Sequence, residues 1–546
     1  MQASLDAMRQ LSLHTLTRQS EHFPLAEQKN VRDLISNAKS ALIDSDNGPE
    51  IGELQGLVNA CKSLFAPIRR LPVELLEIIF THVCDSSVNS VRSLSPFERG
   101  GASVLWQGAI LSFYTPARDL GMVCRYWMTI SESLSNLWST VEATLPMTMS
   151  DPNSLRLKTW ASYVLGHLRE NATCTLRFHA LPFDEISRVL DAFGPYISRS
   201  MSLTIPITLL LEYFETKENL DFNSLISLTL KGDQRSSLPS HLWTTKLQTP
   251  MLRHVSFMYL DITDLHTVLL PWSNLTSVEF NECEMEGIVT ILRQCPNIME
   301  LEIDEISEHG LSIRDGHTPF VLPSLRSFAY SLNMERFLFN GLEGDEVQSQ
   351  VWALLYMLML PQLNKLRIAI VDDEAGEWTE SHILGLRSLI SRSGCQIQDL
   401  VYESDAGYDP ESTLVVDFLT DCTPHLQRLG FVGGELKNVI RVLAPNTDPP
   451  LSFPSLQHLS LGLTVNMYYT ADFPAFPDFF IGMLEARWQA DRKEQGALAS
   501  VELTMVYEPV EQEFWNRLRS LRAEGLRISV LDMGGDIDAR SPVDTV

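Results

Sequence analysis

The chain has 546 residues, 45% of them hydrophobic and 20% charged, the balance of a folded chain that can bury a large core. Its 42 basic and 69 acidic side chains give a net charge of −27, which excludes a general binder of nucleic-acid backbone, because that affinity rests on clustered Lys and Arg. Eight cysteines, none in a Cys-x-x-Cys pair, exclude a disulfide scaffold or a zinc ribbon and fit a reducing compartment.

The opening MQASLDAMRQLSLHTLTRQS has no basic start followed by a long apolar core, so no signal peptide is read. The longest apolar stretch, Val351 to Leu360, falls short of the roughly 18–20 residues of a membrane span. The expectation is an intracellular chain, cytoplasmic or nuclear, with no membrane contact. Residues 1–65 read as two helices. Val31, Leu34, Ile35, Ala38 and Leu42 fall at helical spacing, DSDNGPE breaks it, and Ile51, Leu54, Leu57, Val58, Cys61 and Leu64 resume it. A hairpin packed on the next module and a short coiled-coil hairpin both fit this pattern.

Residues 66–145 have a different texture. API-RRLPVELLEIIFTHVC leads into a polar, Ser-rich stretch and then LGMVCRYWMTISESLSNLWSTV. Pro72 suits the first turn of a helix, and Glu74 favours its N-terminal dipole. Leu71, Leu75, Ile78, Ile79 and His82 then mark one face. A connecting helix is expected over 146–171.

From residue 172 to 531 the chain repeats hydrophobic–x–x–hydrophobic–x–hydrophobic, followed by a polar or helical return. The motif recurs as SLISLTL, MLRHVSF, NLTSVEF, NIMELEI, SLRSFAY, QLNKLRI, QIQDLVY, HLQRLGF, SLQHLSL and ALASVEL. Weaker copies stand at Leu176–Phe178, Met201–Ile205 and Leu526–Val530. Early spacings of about 23 to 27 residues sit within or near the range of leucine-rich repeats, and later ones stretch to about 30 to 40. Period-2 alternation says strand, and EMEGIVTILRQCP is an apolar helical return. The fold class is therefore α/β: a small all-α module, then a leucine-rich-repeat-like solenoid, a curved parallel sheet with helical or loop returns. A doubly wound sheet would instead carry solidly apolar strands. The asparagine that often follows such strands appears as Asn333, but as Asp233, Cys283 or Asp405 elsewhere. Acidic residues at Asp372, Asp373 and Glu374 suggest a rim loop, and residues 532–546 read as a flexible tail.

No Walker loop, dinucleotide fingerprint, His-Glu-x-x-His or Gly-x-Ser-x-Gly motif is present, so no enzyme, cofactor or metal is expected. His254 and His458 read as surface-facing strand residues, and Cys283 and Cys295 as small core hydrophobes. Residues alternating with the buried strand hydrophobes line the concave sheet. That places Glu279, Glu300, Glu302 and Asp304 there, with Asn281, Arg367 and Glu502. Two readings stand: a solvated acidic face, and a surface that selects basic segments of a target protein. A paired-carboxylate glycosidase lacks any supporting constellation.

The segment 66–145 resembles an F-box domain. The residues that carry the resemblance are Pro67 to Phe80 (PIRRLPVELLEIIF), then Val123, Cys124, Trp127, Leu137 and Trp138; a long insertion near 85–115 departs from the usual short turn. With its helical hairpin and irregular repeats, the arrangement is similar to the large F-box families of mushroom-forming fungi. The resemblance implies docking on the Skp-type adaptor of a Skp–cullin–F-box ubiquitin ligase, and so a coupling to the cullin, with Leu71, Pro72, Leu75 and Ile79 as apolar anchors. It implies Val123, Cys124, Trp127, Leu137 and Trp138 as the module's core. The chain would then be a non-enzymatic substrate adaptor. The alternative is a leucine-rich-repeat interaction scaffold without ligase coupling.

Overall fold

A computed structural model describes residues 6, 25–43, 49–63, 71–85, 88–94, 110–144, 151–169, 172–180, 186–210, 222–232, 248–260, 270–306, 319–333, 354–371, 378–404, 417–419, 425–433, 436–444, 453, 455–462, 476–491, 498–505 and 512–532. Pro67–Arg70, the acidic stretch at 372–374 and the tail beyond 532 lie outside them. The chain divides into two compact units, Met1–Leu225 and Ile226–Val546.

In the first unit, α1 (Leu25–Ile43) and α2 (Pro49–Ser63) form a helical pair. Val31, Ile35 and Ala38 meet Leu54, Val58 and Cys61 in a buried cluster, with Leu34, Leu42 and Leu57 at its margin. These residues recur every three or four positions, the spacing that lines one helical face.

Next come α3 (Val73–Asp85), β1 (Asn89–Leu94), β2 (Ile110–Tyr114), α4 (Pro116–Gly121), α5 (Arg125–Ser133), a 3-10 turn (Ser135–Trp138) and β3 (Thr140–Thr144). After them stand α6 (Asp151–Gly166), β4 (Cys174–Ala180), α7 (Ile186–Ile197) and β5 (Ser200–Pro206). The strands run in the order β2-β1-β3-β4-β5. All neighbours are parallel except β1 and β2.

This corrects the all-helical expectation for 66–145. The insertion contributes β1 and β2, and β3 joins β1 on one side and β4 on the other. Val91 and Leu111 point inward, fully buried or nearly so. Asn89 occupies an interior position where a hydrophobe would be usual. Its Nδ2 donates to the carbonyls of Leu137 at 2.9 Å and Thr140 at 3.1 Å, so burial leaves its donor satisfied.

The second unit opens with β6 (Ser227–Lys231), β7 (His254–Met258), β8 (Ser277–Cys283), α8 (Met285–Leu292), β9 (Glu300–Ile306), β10 (Phe320–Val321) and β11 (Ser327–Asn333). It continues through β12 (Leu358–Met359), β13 (Lys365–Val371), α9 (Trp378–Ser393), β14 (Asp399–Ser404), β15 (Arg428–Gly433), α10 (Leu436–Leu443) and β16 (His458–Gly462). It ends with α11 (Phe476–Asp491), β17 (Ser500–Met505), α12 (Gln512–Ala523) and β18 (Arg527–Asp532). Apart from β10 and β12, which pair with each other, the strands follow one another in parallel from β6 to β18. It is a solenoid-like α/β fold, one strand and one return per repeat.

All ten motif copies behave alike. Their first hydrophobes, from Leu225 to Leu498, are buried, and the second and third stand in register across the strands. One row runs Leu228, Val255, Val278, Leu301, Phe328, Leu366, Leu400, Leu429, Leu459 and Val501. The next contains Phe257 stacked on Phe280 and Tyr402 stacked on Phe431, each with ring centroids 5.5 Å apart. Each such side chain contributes roughly 1.5–3 kcal/mol when fully buried, against about 0–1 for a surface ion pair. The rows therefore hold the repeats together, and the ion pairs decorate them. Cys283 stands where such arrays often place asparagine, and its Sγ donates to the Phe257 carbonyl of the preceding strand at 3.4 Å. Burial pushes the Cys283 and Cys295 thiols up to about 12, so both remain protonated.

Some returns are tied by arginine. Arg392 Nη2 donates to the carbonyls of Leu355 at 2.6 Å and Leu358 at 2.8 Å. Arg487, 6% exposed, donates to Phe453 at 2.6 Å and Leu443 at 3.5 Å. One guanidinium thus satisfies two carbonyls.

Gly232 marks a close approach of two repeats. Its N–H donates to the Met258 carbonyl at 2.7 Å, and a Cβ there would lie 1.9 Å from the carbonyl oxygen of Tyr259. Backbone cannot rotate away as a side chain can. Gly232→Ala is expected to cost about 3 kcal/mol, measured by urea denaturation of the full chain; a shift within error would mean that the step between β6 and β7 relaxes freely.

Candidate partner-binding surfaces

The first surface lies on α3. The helix opens one residue after Pro72, whose carbonyl accepts the Leu75 and Leu76 N–H groups at 3.2 Å each. Leu76, Phe80 and Cys84, at i, i+4 and i+8, make the buried line. Phe80 meets Trp127 edge-on with centroids 4.9 Å apart, and Asn136 Nδ2 donates to Thr81 Oγ1 at 3.3 Å. These contacts orient the helix and leave its other side outward. Val73, Leu75, Ile78 and Val83 are 37%, 46%, 64% and 39% exposed. Of the other residues named from sequence, Pro72 is exposed, and Leu71 and Ile79 are half-buried.

Trp127, Leu137 and Trp138 are buried, with Cys124 half-buried at the start of α5. Val123 departs from its expected place in the core: it is 50% exposed. The reason is the helical phase of α5, which turns Trp127 and Ile130 inward and leaves the preceding turn outside. Met122 and Met128 share that exposure, at 72% and 42%. The sequence reading missed them. Their signal was the buried line Leu76–Phe80–Cys84, which fixes the outward side of α3, and the 3.6-residue phase of α5 about Trp127.

The second surface is the face of β8 and β9 opposite the buried rows. Glu279 stands beside Glu302, Asn281 beside Asp304, and Glu300 beside Ser277. Asn281 Nδ2 donates to Asp304 Oδ2 at 2.8 Å. Among the described residues none of the four carboxylates forms an ion pair, whereas Arg367 pairs with Glu403 and Arg428 with Asp399, each at 3.3 Å. Burial, and then the charges of Glu279 and Asp304, raise the Glu302 carboxyl above its ordinary value, against an opposing pull from Arg367.

A sign follows. The folded chain holds this proton more tightly than the unfolded chain, so stability falls as pH rises from the ordinary carboxylate value through the raised one. The penalty is fully present above the raised value and absent below the ordinary one. Glu302→Gln is expected to raise the melting temperature slightly at pH 7, with the gain fading below the ordinary glutamate range; a gain independent of pH would rule out charge as the cause.

His254 is exposed, and His458 Nδ1 lies 2.7 Å from Ser500 Oγ. Among the described residues no group of three or more His, Cys, Asp or Glu could hold a metal ion, and no helix is long and apolar enough to cross a membrane. No family model matches the chain, and no curated protein matches it.

Proposed function

We infer that the chain is a substrate-recognition adaptor of a Skp–cullin–F-box ubiquitin ligase. The observation that carries the reading is the two-sided character of α3: Leu76, Phe80 and Cys84 bind the helix to its own module, while Leu75 and Ile78 remain open at 46% and 64%. A soluble helix with apolar residues on both sides fits one that is completed by another chain. Met122 and Val123 add apolar surface on the α4–α5 turn. Pro72, itself exposed, and the half-buried Leu71 and Ile79 take part beside them. The adaptor supplies no catalytic residue; it raises the effective concentration of a target lysine near the charged conjugating enzyme.

The solenoid-like unit holds the target. Its acidic patch on β8 and β9 favours basic segments, since a partner cation relieves the mutual repulsion of Glu279, Glu302 and Asp304. The adaptor assignment is tested by co-purification of a Skp-type adaptor with the full chain and with α3 surface variants. A chain that captures targets but no adaptor would be a repeat scaffold instead. For the target face, Glu279→Lys, Glu300→Lys and Glu302→Lys together are expected to lower capture at least tenfold and flatten its dependence on salt, read by quantitative pull-down at two ionic strengths. An unchanged set of captured proteins would remove the acidic patch from recognition.

A further inference from the structure

We propose that the preference of this chain for arginine over lysine shields it from its own ligase, confining self-modification to its few lysines, which among the described residues include the exposed Lys29, Lys39, Lys158 and Lys365. The inference rests on the adaptor reading above. The chain has 32 Arg and 10 Lys. No lysine occurs between Lys62 and Lys158, a stretch that holds α3 to α5 and seven arginines. None occurs between Lys246 and Lys365, or after Lys493.

Folding explains part of this bias. Arg392 and Arg487 each reach two carbonyls, and Arg517 grips Glu485 with Nε to Oε1 at 2.9 Å and Nη2 to Oε2 at 2.7 Å. A lysine, as a point charge, cannot reproduce a fork. That reason does not extend to Arg169, Arg326, Arg441 and Arg527. All four are exposed, at positions where lysine would keep the same charge.

What separates the two side chains there is nucleophilicity. In ubiquitin transfer the neutral Lys Nζ attacks the thioester carbonyl that joins the ubiquitin C-terminus to the cysteine of the conjugating enzyme. The C–N isopeptide bond forms, the C–S bond breaks, the cysteine leaves as thiolate, and the surplus proton on nitrogen passes to solvent. A guanidinium, protonated to above about pH 12, offers no lone pair for the first step. An adaptor concentrates the thioester around its own surface as well as around its target, so each exposed lysine is a competing acceptor. Lys29 and Lys39 on α1, Lys158 on α6 and Lys365 on β13 are the exposed exceptions among the described residues.

The test is a reconstituted reaction of the full chain with a Skp-type adaptor, cullin ligase, activating and conjugating enzymes, ubiquitin and ATP, with modified sites mapped by mass spectrometry. The charge-conserving variant Arg169→Lys, Arg326→Lys, Arg441→Lys and Arg527→Lys is expected to be modified about threefold faster than the parent chain, with ubiquitin on the introduced lysines. Introduced lysines that stay unmodified, in a variant that captures the adaptor normally, overturn the shield alone. Failure of the parent chain to capture the adaptor strikes the functional reading instead, and the inference falls with it.

Discussion

Leu75→Asp combined with Ile78→Asp is expected to abolish capture of a Skp-type adaptor by the full chain, with the circular dichroism spectrum and melting temperature unchanged. Both side chains already meet water, at 46% and 64% exposure, so the folded state loses little. In a complex the exposed half or so of each would bury apolar surface worth roughly 1–2 kcal/mol, and two aspartates would add unpaired charges to a desolvated contact. A loss of about 4 kcal/mol is already nearly three decades of affinity. Leu76→Asp serves as the contrasting variant: fully buried, it should unfold the module and so lose capture by another route. Undiminished capture by the double surface variant would place the docking face elsewhere.

Trp138→Ala is the second large effect, and it acts on stability. The indole is 1% exposed, its Nε1 donates to the Ser131 carbonyl at 2.8 Å, and it stacks on the His167 ring at 4.0 Å between centroids. Tyr163 meets it edge-on at 5.7 Å. Truncation leaves a cavity between α5 and α6 and an orphaned acceptor, together worth about 4 kcal/mol. Trp127→Phe makes a sharp comparison. Among the described residues the Trp127 Nε1 has no hydrogen-bond partner, so that change removes some ring area and a buried donor that was unsatisfied. Chemical denaturation should separate the two by at least about 2 kcal/mol. Equal midpoints would mean that the Ser131 bond and the His167 stack contribute nothing measurable.

The repeats were readable in the chain because each motif carries three hydrophobes at fixed offsets, and in every copy all three are buried. Repetition makes a short pattern legible that a single strand would not. The insertion shows the converse. NSVRSL and ILSFY hold few inward apolar residues, and one interior place is taken by Asn89 through hydrogen bonds to residues some fifty positions away. A periodicity of hydrophobes cannot register a polar residue whose partners are distant. Val123 failed for a different reason. Trp127, Leu137 and Trp138 of the same motif are interior, but Val123 lies in the turn before α5, where burial follows helical phase rather than sequence proximity. On β8 and β9 alternation alone placed the carboxylates on one face, whereas their lack of ion pairs among the described residues depends on where Arg367 and Arg428 find partners, two or more strands away.

The side-by-side register from β6 to β18 has an evolutionary corollary. Among the described residues each strand of this row is paired with its neighbours in the row, so a mutation in one coil is felt mainly by the adjacent coils. The outward residues of any single coil, such as Glu300 and Glu302, can therefore drift without unravelling the rest. A lineage built this way can retune what it grasps one rung at a time, by substitution or by gaining and losing whole coils.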